Sequence, residues 1–408
     1  MLATLRKAEY AELLVLFFIQ AAAMAIWFVP LGTVLDANGL HTIKPFAFAA
    51  NAVASFISPL IFGAMADRHI APARVLRWLS LTTAVMLSII ATAIHYHLNP
   101  WLILGIIQIY ALAYTPMFSI TTALVLARLQ NAKHEFGPVR MLATLGWMGG
   151  AILIGWLNLD HSMLTGYIGA AVWLLVAGFT YYLPALEVPA SSEKLSWHER
   201  LGLDALTLLK KPDLRVVVLT TTLLNIPLCA FFPYTPTHLQ ALHFSHTSAW
   251  MSLGQTTEIL GMIMLSWLLH HYGFRKLFLA GLCLSCLRFS LAACNTQTTL
   301  LLSLICHGAS FVLVYIVAQL YMEQHIDPQW RSRAQAMLSF LNGGVGNIIG
   351  YLGTGWWFAA CTLQQKTHWT LFWGVLAGIM ALVAIHFFRS FKETTPTQLP
   401  IIEHEDSR

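Results

Sequence analysis

The chain has 408 residues, of which 57% are hydrophobic and only 10% charged. A soluble protein of this size carries roughly a quarter of its residues as charge and lacks repeated apolar blocks of about 20 residues, so the composition describes a polytopic membrane protein. The formal net charge of +5 is no sign of nucleic-acid binding, because the basic residues are scattered over short loops and form no stripe.

The N-terminal stretch MLATLRKAEYAELLVLFFIQAAAMAIWFVPLG starts with charge, but its apolar run is too long for a signal peptide and no A-x-A-type site follows. It is expected to be a retained first transmembrane helix. Twelve segments of spanning length follow in order, at about 8–35, 43–66, 73–96, 100–128, 138–158, 162–184, 213–240, 247–271, 274–294, 297–323, 331–357 and 366–390. The longest connection divides them six and six. The expected organisation is a first half over 1–184, a cytoplasmic linker over 185–212 carrying an amphipathic surface helix, a second half over 213–392 and a tail over 393–408. With both termini inside, 20 of the 23 Lys and Arg fall on the cytoplasmic side; Lys44 and Lys366 fall outside and Arg288 lies within span 9. That asymmetry is what the positive-inside rule predicts.

In span 1, Gln20, Met24 and Trp27 form a stripe in which Trp27 suits packing as well as contact with a solute. The loop after span 2 reads GAMADRHIAPAR, where Asp67 can accept from neighbouring basic groups or helix N-termini and latch that side of the bundle. Arg140, Thr144 and Trp147 stand at i, i+4 and i+7 on span 5, one stripe running inward from the cytoplasmic mouth. The hydroxyl suits a ribose and the indole a stacked base; the alternative is a snorkelling helix-end Arg and a core Trp. Pro227, Pro233 and Pro236 should break span 7 beside Asn225, and broken helices in transporters cluster at sites and gates.

Span 8 carries LGQTTEILGM, which puts Glu258 near mid-membrane with Gln255 and Gly254 on its face. An acid there costs about 2.5–3.5 kcal/mol even on the lenient insertion scale, so it should face the bundle interior. No other carboxylate lies comparably deep, which makes it the candidate proton carrier. The structural alternative is an acid paired with Arg288 of span 9. Span 10 places His307, Phe311, Tyr315 and Gln319 on one face, and His307 suits either a titrating role or that of a satisfied interior histidine. Span 11, with LNGGVGNIIGYLG, is rich in glycine at small spacing and reads as a close-packing surface. The six cysteines lie in apolar segments and read as small buried hydrophobes. No histidines form an H-x-x-x-H or H-E-x-x-H set, so neither metal nor cofactor is expected.

Gly63, Asp67, Arg68 and Arg74 resemble the loop signature of the major facilitator superfamily, which implies an all-α integral membrane fold of twelve helices in two six-helix halves. More narrowly, FGPVRMLATLGWMGG, GQTTEILGM, HGASFVLVY and RSRAQAMLSFLNGGVGNIIG resemble the nucleoside:proton symporters of bacterial inner membranes. That resemblance implies that Arg140, Thr144, Trp147, Gln255 and Glu258 line a nucleoside site, with Asn225 in the place of the family's span 7 asparagine. The chain differs at Thr222, where the family carries an amide, and in span 10. There Phe311 is followed by Val312 instead of an acid, and His307 stands in place of a tyrosine.

The expected activity is proton-coupled import of nucleosides or related small polar solutes by alternating access, with Glu258 and His307 as proton-coupling candidates. The expected partners are a nucleoside-like solute, a proton and the lipid bilayer, and the chain is expected to be a monomer in a bacterial inner membrane. A carrier of sugar, peptide fragment or siderophore is the alternative. A membrane enzyme is disfavoured for want of a nucleophile–base or metal set.

Overall fold

Backbone amides in hydrocarbon have no water to bond, so each apolar segment must satisfy its hydrogen bonds internally, and helices do this. The structure, a computed structural model, describes residues 10–66, 71–126, 128–129, 132–183, 196–364 and 366–392. Among these, eight helical stretches are long and apolar enough to cross a membrane. One of them, Thr247–Ala293, is two spans joined across Gly273, whose φ of 71° turns the chain between them. Lys44–Ala66, Leu164–Phe179 and Pro328–Cys361 complete the twelve.

Spans 1 to 6 are Ala11–Ala37, Lys44–Ala66, Pro72–His95, Pro100–Leu126, Ala132–Trp156 and Leu164–Phe179. Spans 7 to 12 are Pro212–Ala241, Thr247–Tyr272, Phe274–Ala293, Gln297–His325, Pro328–Cys361 and Trp369–Ser390. The expected boundaries agree to within a few residues. A small antiparallel pair, Thr362–Leu363 with Lys366–Thr367, precedes span 12.

Spans 1, 4, 7 and 10 are each interrupted. The helix of span 1 stops at Phe28 and resumes at Leu31 after Pro30. Span 4 breaks around Pro116, between Tyr114 and Met117. Span 7 breaks between Leu228 and Phe231, within the proline-rich stretch. Span 10 passes through a π-helical turn at Val312–Ile316. Span 11 carries a second π-helical segment at Phe340–Gly346, and such turns are frequent at functional sites.

The faces turned away from the bundle stay apolar, with Leu175, Leu382 and Phe388 all exposed, as contact with lipid requires. Trp156, Trp356, Tyr96, Tyr181 and Tyr182, near helix ends, are among the most exposed aromatics and suit the interfacial belts of a membrane protein.

Between the halves, the linker does not form the single surface helix expected of it. Ser196 and Glu199 make a capping box for the short helix Trp197–Arg200, and a 3-10 helix covers Asp204–Lys210. Gly202, at φ +67, separates them, and a Cβ there would meet the Arg333 carbonyl and the Met337 amide. Arg333 of span 11 holds the linker through Asp204 at 2.8 Å and Glu199 at 3.1 Å. Hydrogen bonds from Ser196, helped by the Arg333 charge, hold the Glu199 carboxyl below its ordinary pKa. Residues 184–195 lie outside the described chain, as do Asp67 and Arg68 of the expected latch. Gly63 lies in the last turns of span 2, and Arg74 is exposed at the start of span 3.

At the end of the bundle opposite the linker the two halves are pinned together. Lys44, only 2% exposed, bonds Asp36 at 2.5 Å and Thr237 of span 7 at 3.2 Å. Its ammonium also sits over the rings of Tyr234 and Phe358 at 4.9 and 5.6 Å. Asp160, before span 6, accepts from the Ser248 amide at 2.8 Å and from Thr247 at 3.2 Å at the start of span 8. Carboxylate at a helix N-terminus is favourable for both dipole and orphan amides. This end of the molecule is therefore closed. Replacing Lys44 with Met removes the central cation, and we expect it to shift the carrier toward opening there. A single cysteine at position 232 in a background free of other cysteines should then react faster with a membrane-impermeant thiol reagent. An unchanged rate would rule out the Lys44 contact as what holds this end shut.

Candidate functional site

Spans 8 and 10 come together at their glycines. A Cβ on Gly308 would collide with the Gly254 carbonyl and the Glu258 amide, so the backbones approach as closely as only hydrogen permits. Thr257 adds a hydrogen bond from its hydroxyl to the Ile305 carbonyl at 2.6 Å. This contact sets Glu258 and Gln255 beside His307 and Phe311. On the other side, span 5 lies against span 1, which turns Arg140, Thr144 and Trp147 toward the same space.

The result is a cavity of about 320 Å³ between the halves, at the small end of the roughly 300–1,000 Å³ that small-molecule sites occupy. Met24, Phe118, Arg140, Thr144 and Trp147 line it from the first half, and Phe232, Gln255, Glu258, His307 and Phe311 from the second. Its walls are aromatic. Trp147, Phe28 and Phe232 contact one another at centroid distances of 5.1–5.9 Å. Phe231 stacks on the His307 ring at 3.8 Å. The Arg140 guanidinium lies 4.9 Å from the Phe118 ring.

Glu258 is the one carboxylate lining this cavity. It interacts electrostatically with Arg140 across the space, without closing to an ion pair within 4 Å. The structural alternative, in which Glu258 pairs with Arg288, is not what the structure shows. Arg288 bonds through Nη1 to Nδ1 of His307, so the basic group opposite Glu258 comes from span 5, not span 9.

Seven of the nine candidate binding residues meet here: Arg140, Thr144, Trp147, Gln255, Glu258, His307 and Phe311. Thr222 and Asn225 do not line the cavity, because their polar atoms are engaged behind its wall. Thr222 donates to the Asn342 side-chain oxygen at 2.8 Å. Asn225 donates to the Asn342 carbonyl at 2.8 Å and to Asn347, and accepts from the Tyr315 hydroxyl at 3.0 Å. They tie span 7 to spans 10 and 11 beside both π-helical segments. Span 1 sends Met24 to the cavity, whereas Trp27 is fully buried and packs against span 6 at Gly166 and Gly169. Gln20 accepts a hydrogen bond from Thr121 at 2.6 Å instead of facing the cavity. The sequence suggests Phe232, with Phe231 and Tyr234, as an outer gate and gives no role to Phe118, yet both Phe232 and Phe118 line the cavity. Phe232, beside Phe231 in the proline-broken span 7, carried the stronger signal of the two.

Two six-helix halves enclosing a mixed polar and aromatic cavity between them define a membrane transporter of the major facilitator fold. The match to the family model for nucleoside H+ symporters runs over residues 8–396, and the chain belongs to that family, whose members couple nucleoside transport to protons. It is 25% identical to the putative nucleoside transporter YegT of Escherichia coli, with 94% of each chain covered. It is also 25% identical to the nucleoside permease NupG of the same organism, over 96% of this chain and 99% of that one. The crystal structure of NupG superimposes with a TM-score of 0.83, covering 95% of this chain and all of the other.

Because the site depends on the Gly254–Gly308 contact, Gly308→Ala should destabilise it by overpacking, at about 1–3 kcal/mol. We expect a lower melting temperature in detergent and reduced uptake at equal membrane expression. A variant as stable and active as the parent would show that spans 8 and 10 need not approach so closely.

Proposed function

We propose that this chain works as a monomer in a bacterial inner membrane, with both termini cytoplasmic, and imports nucleosides together with protons carried by Glu258. The observation that carries the reading is the convergence of Arg140, Thr144 and Trp147 from one half with Gln255, Glu258 and Phe311 from the other on a single cavity. The charge distribution along the chain supports the orientation, since 20 of 23 Lys and Arg then lie inside. On that orientation the end closed by Lys44, Asp36 and Asp160 faces outward, and the structure represents a state closed to the outside.

Each lining residue has a chemical use. Trp147 and Phe232 offer flat aromatic faces against which a base stacks, and Phe311 extends the apolar wall. Thr144 and Gln255 bond the hydroxyls of the sugar or the edge of the base, Gln255 both donating and accepting. Glu258 binds substrate hydrogens as a carboxylate and becomes neutral on taking a proton. Neutrality matters at the step when the loaded cavity closes, because an ionised carboxylate cut off from water is costly. The proton belongs on Glu258 and not on His307, whose Nδ1 is already the acceptor for a guanidinium. Thr222 and Asn225 act from behind the wall, fixing the break in span 7 against spans 10 and 11. Rocking of the halves about the cavity then alternates access.

Glu258→Gln should abolish uptake driven by a pH gradient while leaving counterflow exchange measurable, because an amide mimics the protonated acid. Proteoliposomes loaded with uridine and assayed with and without a gradient distinguish the two. Concentrative uptake by the variant at the parent's level would refute the proton role. Trp147→Ala should raise the KM for uridine roughly tenfold or more, since base–aromatic stacking contributes about 1–3 kcal/mol per base. An unchanged KM would remove Trp147 from the base-binding wall.

A further inference from the structure

Arg288 of span 9 is 2% exposed, and among the described residues no carboxylate stands within salt-bridge distance of it. A guanidinium inside a bilayer without an anion is expensive and rare. Its surroundings soften that cost only in part. The rings of Phe231 and Phe289 lie 4.6 and 4.5 Å from Cζ on either hand, and such desolvated contacts are favourable. Cys306 and Tyr315 of span 10 are the other ionisable groups that influence it, and neither is an anion in the way a carboxylate is.

Its directed contact is with His307. A guanidinium has five donors and no acceptor, so Nδ1 of His307 must accept from Nη1. The ring's remaining proton therefore sits on Nε2. His307 lines the cavity, so Arg288 stands one residue behind the wall and backs a donor within it. Accepting a bond from a cation at one ring nitrogen strengthens donation from the other.

The charges around the cavity then do not balance. Arg140 lines it, Arg288 stands behind His307, and Glu258 is the only lining carboxylate. When Glu258 carries the transported proton, two cations remain and no anion. A neutral nucleoside closes into that space without relieving it, whereas a substrate bearing one negative charge does. The donor belongs to the aromatic side of the cavity, since His307 stacks on Phe231 and meets Phe232 edge-on at 6.5 Å. That is where a base lies, not a sugar or a 5′ substituent.

Building on the nucleoside reading, we propose that Arg288, acting through His307, makes the site selective for nucleosides whose base carries an acidic imide N–H and binds as its anion. The negative charge, shared between the ring nitrogen and its flanking carbonyl oxygens, accepts from His307 Nε2 and faces the Arg288 charge. Arg288 is a specificity residue that need not touch the substrate itself.

Uridine and 5-fluorouridine test this, because they differ little in size while fluorine makes the imide proton of the base more acidic. Competition against bound tritiated uridine is measured on purified protein at pH 6.0 and 8.5 without a gradient. Using the ratio of the two affinities cancels any pH effect common to both ligands. In the parent, preference for 5-fluorouridine should be largest at pH 6.0, at roughly tenfold for each unit by which the two imide pKa values differ, and should shrink toward pH 8.5, where 5-fluorouridine is already largely ionised and uridine gains anion. In Arg288→Met the ratio should stay flat. A flat ratio in the parent would overturn the proposal without recourse to any variant. So would an Arg288→Met protein that keeps the parent's pH-dependent preference. Stronger competition by uridine 5′-monophosphate than by 5-fluorouridine would move the anionic centre off the base and also overturn it. Saturable uridine transport with no preference sinks this inference alone, whereas failure to bind or transport either uridine or adenosine sinks the nucleoside reading beneath it.

Discussion

The constraint on which the structure depends is the cost of holding a charge or an unpaired polar group away from water. In hydrocarbon that cost is several kcal/mol for each unsatisfied group, and it sorts the sequence before any packing is considered. The few charged residues buried in the bundle must turn inward, and the interior must supply what they need. Lys44 finds Asp36 and two aromatic rings. Glu258 faces Arg140 across the cavity. Arg288 finds a histidine and two phenylalanines. Each solution draws on more than one helix, so the same polar groups that are costly singly fix how the helices are arranged.

The constraint also governs where helices break. A proline or π-helical turn frees backbone carbonyls, which is tolerable only where other groups satisfy them or a wet cavity adjoins. Spans 1, 4, 7 and 10 are interrupted, and span 11 is π-helical where Asn342 accepts from Thr222 and Asn225. Breaks at corresponding positions in successive three-helix units are what a fold built from repeated units produces.

What the sequence made legible follows from the same cost. The twelve spans could be found because length and hydropathy are enforced by bilayer thickness. Glu258 could be found because nothing else explains an acid at that depth, and Gln255 because helical periodicity put it on the same face. Arg140, Thr144 and Trp147 could be found as a stripe. Periodicity within one helix, however, says nothing about which neighbour a side chain meets. Arg288 is closer in sequence to Glu258 than Arg140 is, yet the Gly254–Gly308 contact turns Glu258 toward span 5 and leaves Arg288 to His307. Thr222 and Asn225 were as polar and as deep as the residues that line the cavity. Their partners, Asn342 and Asn347, lie more than a hundred residues away and are met only because span 11 packs on span 7. The linker misled for a local reason, since its leucines suggest one amphipathic helix while Gly202 turns the chain between two short ones.

The separation between Arg140 and Glu258 has a consequence for coupling. Were the two joined as a tight ion pair, protonating the acid would mean breaking it, and the carrier would resist loading. Held apart across a space, each is left with unmet demand that a bound molecule can answer. On the proposed reading, a polar solute between them is stabilised by both charges, and a proton arriving at Glu258 changes the balance without disrupting a closed contact. Because charges in a low-dielectric site interact strongly over such distances, solute and proton each alter the energy of binding the other. That reciprocal dependence is what links two fluxes in one carrier once the halves alternate access to the cavity.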